Sequence, residues 1–368
     1  MPEQAMVMTE VQDELRYLFD APSFADVRGA GALLESLARF TLPSLARRRE
    51  FSGAGIVTGG RHYVATFPSA EIGQRFADEA RRIYRQRTAA LALRTGQEEV
   101  SADELLTAFG PHLRRVRARL EYDQVGAAAQ AAYSPELRWC DACHRFPAVH
   151  LRADVVLCRA CASRRTHLAD QDARLEIPGY QTGLADTGEE DVAARPVWER
   201  QLRWLRDNGV QQSSDAAGDI ASLLRHRPQG DESLADAAGR RAVVIAEVND
   251  FSRLLDQAGD SQRALRISMR LNRLLDDALF EGLTSTAWRD RSRPLNFEVL
   301  LAGGDRLVFL LPADLALAVT ARALRTFESQ SAFATDGRRL NFAAGIGLAS
   351  QAVSWSAAAF QAQQALAA

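Results

Sequence analysis

The sequence specifies an α+β protein in which two ferredoxin-like units flank a cysteine-bound metal module, with a helical linker. Three observations lead there. A glycine hairpin occurs twice, as IVTGGRHYVATFP (residues 56–68) and LLAGGDRLVFLLP (residues 300–312). Each hairpin is preceded by a strand and a helix and followed by a second helical period. Between the copies stand two CxxC pairs.

The elements follow in order. AMVMTEV (residues 5–11) is an apolar strand, and DVRGAGALLESLARF (residues 26–40) an amphipathic helix. The first hairpin comes next, and behind a Ser69 cap Ile72, Phe76, Ala80 and Ile83 recur at helical spacing. SADELLTAF (residues 101–109) has a capping-box pattern and starts a helical appendage, with an interruption expected at Gly110 and Pro111. In the second copy AVVIAEVNDF (residues 242–251) is a continuous buried-strand run. SQRALRISMRLNRLLDDALFEGL (residues 261–283) is a helix with Leu271, Leu274 and Ala278 on one face. After the second hairpin Leu317, Ala321, Leu324 and Phe327 mark a helix behind Asp314, and LNFAAGIGLAS (residues 340–350) is a last strand before a terminal helix.

Aligning Gly59 with Gly303 brings Gly60 onto Gly304, Arg61 onto Asp305, His62 onto Arg306, Val64 onto Val308 and Pro68 onto Pro312. Strand, helix, hairpin, helix, strand is the ferredoxin-like order used by nucleotidyltransferase palms. The expected organisation is a first palm at residues 1–95, a helical appendage at 96–134, a zinc ribbon at 135–170, a helical and loop linker at 171–238, and a second palm at 239–368. The linker holds the acidic ADTGEED and short helices such as VWERQLRWLRD.

Composition excludes several chemistries. All 45 basic residues are arginine, so no lysine serves a P-loop, a Schiff base or a general base. A net charge of -2 supplies no general drive toward nucleic acid. The clusters RRIYRQR (residues 81–87) and RRVRAR (residues 114–119) read as solvated helix faces rather than phosphate contacts. A mean hydropathy of -0.20 and the lack of a long apolar run speak against a membrane span, and the N-terminus does not read as a signal peptide, so the expectation is a cytoplasmic protein.

Cys140, Cys143, Cys158 and Cys161 fall in CDACHRFPAVHLRADVVLCRAC (residues 140–161). Two CxxC turns facing each other complete a tetrahedral shell, and with four sulfurs no coordination position stays open. The expected cofactor is a structural zinc ion; one redox pair would leave the second pair unexplained.

Together these features resemble the large palm-domain subunit of type III CRISPR effector complexes, the CRISPR polymerase or cyclic-oligoadenylate synthase family, in a compact form without an HD nuclease. The resemblance rests on YLFDAPSFADVRGAGALLESL, VTGGRHYVATFP, the double CxxC, VVIAEVNDF, LLAGGDRLVFLLP and FAAGIGLAS. It implies palms that bind ATP or another nucleotide, Mg or Mn at the second palm, and RNA-guided effector subunits or guide and target RNA as partners. It carries the catalytic positions to Asp305, Glu247 and Asn249. It carries nucleotide contacts to Gly303, Gly304, Arg306, Gly59, Gly60 and Arg61.

The chain departs from that pattern. Glu247 replaces the usual strand aspartate, Arg306 the second aspartate of GGDD, and Gly31 the serine of an RGAS helix. A guanidinium about 5 Å from a divalent ion repels it by roughly 6 to 7 kcal/mol at an effective dielectric near 20. That favours a nucleotide-binding, non-catalytic subunit of a CRISPR-like antiviral assembly. The alternative is an active nucleotidyltransferase that makes cyclic or linear oligoadenylates from ATP.

Overall fold

The computed structural model describes residues 3–20, 23–57, 60–89, 91–122, 138–152, 154–175, 197–208, 231–288 and 296–368. The first unit starts with β1 (Glu3–Val11), α1 (Glu14–Phe19) and α2 (Phe24–Ser36), which runs through a π-helical turn (Leu37–Thr41) into α3 (Leu42–Ala46). Strands β2 (Ala54–Val57) and β3 (His62–Phe67), helix α4 (Ala70–Thr88) and β4 (Leu93–Ser101) complete it. Next come α5 (Ala102–Thr107), α6 (Phe109–Tyr122), the short β5 (His150–Arg152) and β6 (Val155–Leu157), α7 (Arg159–Leu175) and α8 (Val197–Asp207). The second unit has β7 (Arg241–Val248), α9 (Phe251–Asp256), α10 (Ser261–Gly282) with its own π-helical turn (Leu283–Ala287), β8 (Glu298–Gly303), β9 (Arg306–Pro312), α11 (Ala313–Ala334), β10 (Phe342–Ala349) and α12 (Trp355–Ala367).

Each unit forms a four-stranded antiparallel sheet, in the orders β2-β3-β1-β4 and β10-β7-β9-β8. These are the same order: in both, the first strand lies between the third and the fourth. The repeat reaches finer detail. Both hairpins carry a register shift in their first strand, between Gly55 and Val57 and between Val299 and Leu301. Both central strands lead into a left-handed aspartate ahead of a short helix, Asp13 (φ 50) and Asp250 (φ 61).

Alternation along β1 and β7 divides the apolar interior in two, since successive strand residues face opposite sides. Met6, Met8 and Val64 join Val244, Ala246, Leu307 and Phe309 in one core, with Phe109 and Val116 of α6 and Leu271 and Leu275 of α10. Ala5, Val7 and Tyr63 join Val243, Ile245, Val308 and Leu310 in the other, with Val27 and Leu33 of α2. Both cores draw on both units. Packing is accordingly reciprocal, α2 lying against β8 and α10 against β2. Gly31 permits the first approach: a Cβ there would stand 2.8 Å from the Leu300 carbonyl oxygen. Arg28 and Glu298 close it with an ion pair at 2.8 Å.

Helix α6 straps the units together. Its N-terminal Phe109 amide donates to the Gly259 carbonyl, and Arg117 pairs with Asp256 at 2.9 Å. On its other side Arg115 donates to Glu98 of β4. These arginines are therefore ion-pairing residues of an interface, more engaged than the solvated face their clustering suggests. The capping box is present at Ser101 and Glu104, but the helical break falls at Ala108. Gly110 and Pro111 lie in the first turn of α6, where proline is tolerated because its missing N–H has no intrahelical acceptor. Asp314 does not cap α11 with its side chain; Pro312 holds the cap position.

The cysteine module does not separate the two sheets in space. Its helix α7 lies on α2 and α4 of the first unit. Gly29 allows the contact, a Cβ there standing 2.5 Å from the Arg164 carbonyl oxygen. Arg165 grips the fully buried Asp26 with two hydrogen bonds of 2.6 and 2.8 Å, and the Arg164 guanidinium lies 4.1 Å over the Tyr17 ring. The divisions expected at residues 95 and 170 fall inside β4 and α7. Much of the expected linker, including ADTGEED, lies outside the described residues.

Candidate functional site: the meeting hairpins

The two glycine hairpins touch. A Cβ on Gly60 would stand 2.6 Å from the Gly303 carbonyl oxygen and 3.1 Å from the Gly304 Cα, so only glycine lets the tips come this close. Gly60 (φ 65) and Gly304 (φ 66) are also both left-handed, a conformation glycine adopts without Cβ strain. Gly59 lies outside the described residues.

Around this contact the structure gathers charges from both units. Arg61 Nη2 stands 3.7 Å from Asp305 Oδ2, so residues that align in the repeat pair with one another across it. Arg306 donates to Glu247 of β7, its register partner in the ladder, and reaches across the boundary to donate to Glu14 of α1. Asp305 and Arg306 are each more than nine-tenths buried. Burial lowers the Arg306 pKa, but Glu14, Glu247 and Asp305 outweigh it and hold the guanidinium above its ordinary value. Burial pushes the Glu14 carboxyl up, against the pull of Arg306 and Arg61. Three buried atoms here have no hydrogen-bond partner in the protein: Arg61 Nε, Arg306 Nε and Asp305 Oδ1. Such groups cost about 1–3 kcal/mol each unless water or a ligand meets them.

Behind the second tip, Asn272 Oδ1 accepts the Gly304 amide at 2.7 Å. Arg39 and Arg200 both donate to the Ala302 carbonyl. Arg200 comes from α8 and also binds Glu35 of α2 and Asp276 of α10, so one buried guanidinium ties both long helices to the hairpin. Burial and the Arg200 charge bring the Arg39 pKa down to about 10.

The first unit has a counterpart of its own. Glu10 takes the β1 position that Glu247 takes in β7, opposite His62 as Glu247 is opposite Arg306. Glu10 has a second partner, Arg94 of β4 at 2.5 Å, where β10 offers Ala343 to Glu247. Burial pushes Glu10 up, yet His62, Arg94 and Arg61 together hold it at about 2.

Of the residues read from sequence, Asp305, Arg306, Glu247, Arg61, Gly60, Gly303 and Gly304 come together. Asn249 stands exposed at the end of β7, its amide donating to the Asn341 carbonyl, outside the buried group. Sequence reading missed Glu14, Arg39, Arg200 and Asn272. Glu14 had a signal, because it follows the first left-handed aspartate where the second copy has Phe251. Arg200 had none, since α8 belongs to neither copy.

In the cysteine module, the four Sγ atoms of Cys140, Cys143, Cys158 and Cys161 lie within 4.8 Å of one another, three of the residues buried. Four converging thiols are a donor set suited to zinc.

No protein-family model matches the sequence, and neither does any curated protein. Solved structures do match. A chain of the Csm1–Csm4 cassette in complex with AMPPNP superposes with a TM-score of 0.65 at 11% identity, over 100% of this chain and 53% of that one. The cassette with pppApApA gives 0.61 at 13% identity, over 100% and 52%. The Csm1–Csm4 subcomplex in the type III-A CRISPR-Csm interference complex gives 0.58 at 13%, over 100% and 53%. The chain thus spans about half the length of the structures it matches and shares their fold, which is the resemblance read from its motifs.

Proposed function

We propose that the two sheets are a pair of ferredoxin-like palms and that their meeting hairpins bind the phosphates of a nucleotide such as ATP without turning it over. One observation carries this reading: Arg61 Nε, Arg306 Nε and Asp305 Oδ1 are buried and unmatched in one place. Two cationic donors beside one acceptor are the complement of a phosphate carrying a hydroxyl neighbour, and a guanidinium binds phosphate through several N–H groups at once. Cassettes of the same fold are described in complex with AMPPNP, pppApApA and cA4, which supports a nucleotide as the occupant.

Magnesium or manganese does not fit the arrangement. Hard divalent cations need several oxygen ligands. Here Glu14 and Glu247 each give an oxygen to Arg306, and Asp305 Oδ2 faces Arg61. Zinc fits the cysteine module, where Cys140, Cys143, Cys158 and Cys161 would hold it in a closed structural shell. In this reading the chain is a scaffold or effector subunit of an RNA-guided, type III CRISPR-like antiviral assembly. Partner subunits and guide or target RNA belong to that proposal. Among the described residues no helix is long and apolar enough to cross a membrane.

The test is equilibrium binding of labelled ATP to purified protein without added divalent metal, with product analysis alongside. Saturable binding that weakens about tenfold in Arg61→Ala, a loss of roughly 1.4 kcal/mol, is expected, with ATP recovered intact. Oligoadenylate formed with magnesium or manganese and abolished by Asp305→Ala would instead establish the nucleotidyltransferase reading. Absence of ATP binding both without and with added divalent metal would refute both.

A further inference from the structure

We infer that the cysteine module restrains the meeting hairpins through α1: two arginines of the module hold this helix, the helix holds Glu14 on Arg306, and releasing it frees Arg306 for phosphate. The inference rests on the proposed phosphate binding at the hairpins and adds its regulation.

Helix α1 is six residues long, too short to stand without tertiary support. Its N-terminal Asp13 is left-handed and gives no side-chain cap. At the other end the last carbonyls of a helix lack intrahelical donors. The module supplies one: Arg164 Nη2 donates to the Tyr17 carbonyl at 2.5 Å. The same buried guanidinium covers the Tyr17 ring, and Arg145 pairs with Asp20, the C-cap residue. In the first turn Glu14 accepts from Arg306. One short helix thus joins the module at its end to the hairpin site at its start.

The second unit supplies an internal comparison. Helix α9 follows Asp250 as α1 follows Asp13, and arginines hold its C-terminal end as well, Arg117 on the Asp256 carboxylate and Arg114 on the Asp256 carbonyl. Yet α9 has the buried Phe251 where α1 has Glu14, so of the two helices α1 alone carries an acid at this position. That acid limits what Arg306 can offer. Its two Nη groups are engaged by Glu14 and Glu247, which leaves the buried Nε. With Glu14 withdrawn, a phosphate at Nε gains a second N–H of the fork, the geometry that makes guanidinium–phosphate pairs strong. One carboxylate fewer beside an anion acts in the same direction. The side chain of Glu247 is 31% exposed and that of Glu14 7%, so water competes for Glu247 whereas Glu14 leaves only if α1 moves.

The test measures binding of labelled ATP to zinc-loaded protein without added divalent metal, with zinc per chain determined for each variant. Glu14→Leu, which places an apolar side chain where α9 has one, should bind ATP about tenfold more tightly than wild type. Arg164→Met should retain its zinc and bind about fivefold more tightly. The double variant should bind no more tightly than Glu14→Leu, because both changes release the same guanidinium. A support that merely holds the fold together would weaken binding when lost, and its effect would add to that of Glu14→Leu. Should Arg164→Met not fold or lose its zinc, Arg145→Ala takes its place: that side chain is 46% exposed, and its loss removes only the grip on Asp20. ATP binding in the arginine variant equal to or weaker than wild type overturns the inference, as does a gain that adds in full to Glu14→Leu. Hydrogen exchange without nucleotide separates this failure from that of the nucleotide reading, since the α1 amides should exchange faster in the arginine variant than in wild type. If no variant binds ATP with or without divalent metal, the nucleotide reading falls while faster exchange still establishes the restraint. Unchanged exchange in α1 overturns the restraint whatever ATP does.

Discussion

At the scale of single residues, the hairpin contact is set by a glycine whose two constraints can be separated. Gly60 needs both a left-handed backbone and an empty Cβ position, whereas Gly239 (φ 72) needs only the backbone, with nothing within 4 Å of an added Cβ. Gly239→Ala should therefore cost about 1–2 kcal/mol from backbone strain. Gly60→Ala should cost more and should also weaken ATP binding, because the tips must part. Denaturant titration of the two variants checks the difference, and equal losses would mean that tip contact is unimportant. A second residue gives a pH signature. Burial raises the Asp277 carboxyl from its ordinary 3.8 to about 6, outweighing nearby Arg273. A raised folded value means that the group's contribution to stability is complete below 3.8 and is lost as pH rises through 6. Asp277→Asn should match wild type at the acidic end of that window and be the more stable protein near neutral pH. Thermal unfolding across the window measures this.

At the scale of elements, legibility depended on whether a segment's burial is apolar. Strand β7 was readable because Ala242 to Ala246 are buried without interruption, and the hairpins because glycine is demanded by their conformation. Strand β4, LRTGQEEVS, was missed. It buries Thr95 and Glu98, polar groups that Arg81 of α4 and His112 and Arg115 of α6 satisfy from outside the strand, so no apolar alternation announced it. The two π-helical turns after α2 and α10 likewise had no periodic signal. Helix α8 was legible as a helix, but its purpose was not, because Arg200 acts through Glu35, Asp276 and Ala302, none of them near it in sequence. Arg200→Met takes a buried guanidinium from Asp276 and from Glu35, which keeps Arg39 at 3.6 Å, and should cost about 3–5 kcal/mol in chemical denaturation. Arg200→Lys should recover little, since one ammonium cannot reproduce the fork that spans two acids and a carbonyl. Full rescue by lysine would reduce the contact to simple charge balance.

At the scale of the whole molecule, two similar units share both cores, and among the described residues the cysteine module packs its helix α7 on α2 and α4 of the first. That asymmetry makes zinc removal informative. The module's own interior consists of Cys140, Ala142, Leu157, Cys158, Ala160, Cys161 and Ala162, which is too little apolar volume to hold a fold unaided. With zinc bound as proposed, its stability comes from the metal and from docking on α2. Stripping zinc should therefore unfold residues 138–157 outright, because binding energy in such modules is folding energy. The loss should then spread through α7 to the places it grips, Asp26 and Tyr17 of the first unit. Strands β7 and β9, buried on both faces and remote from α7, should keep their protection. Hydrogen exchange of holo and zinc-stripped protein resolves the two regions. Loss confined to the module and α2 supports docking on one unit. Equal loss in both sheets would mean that the module braces the hairpin contact itself, and unchanged exchange throughout would refute a structural metal.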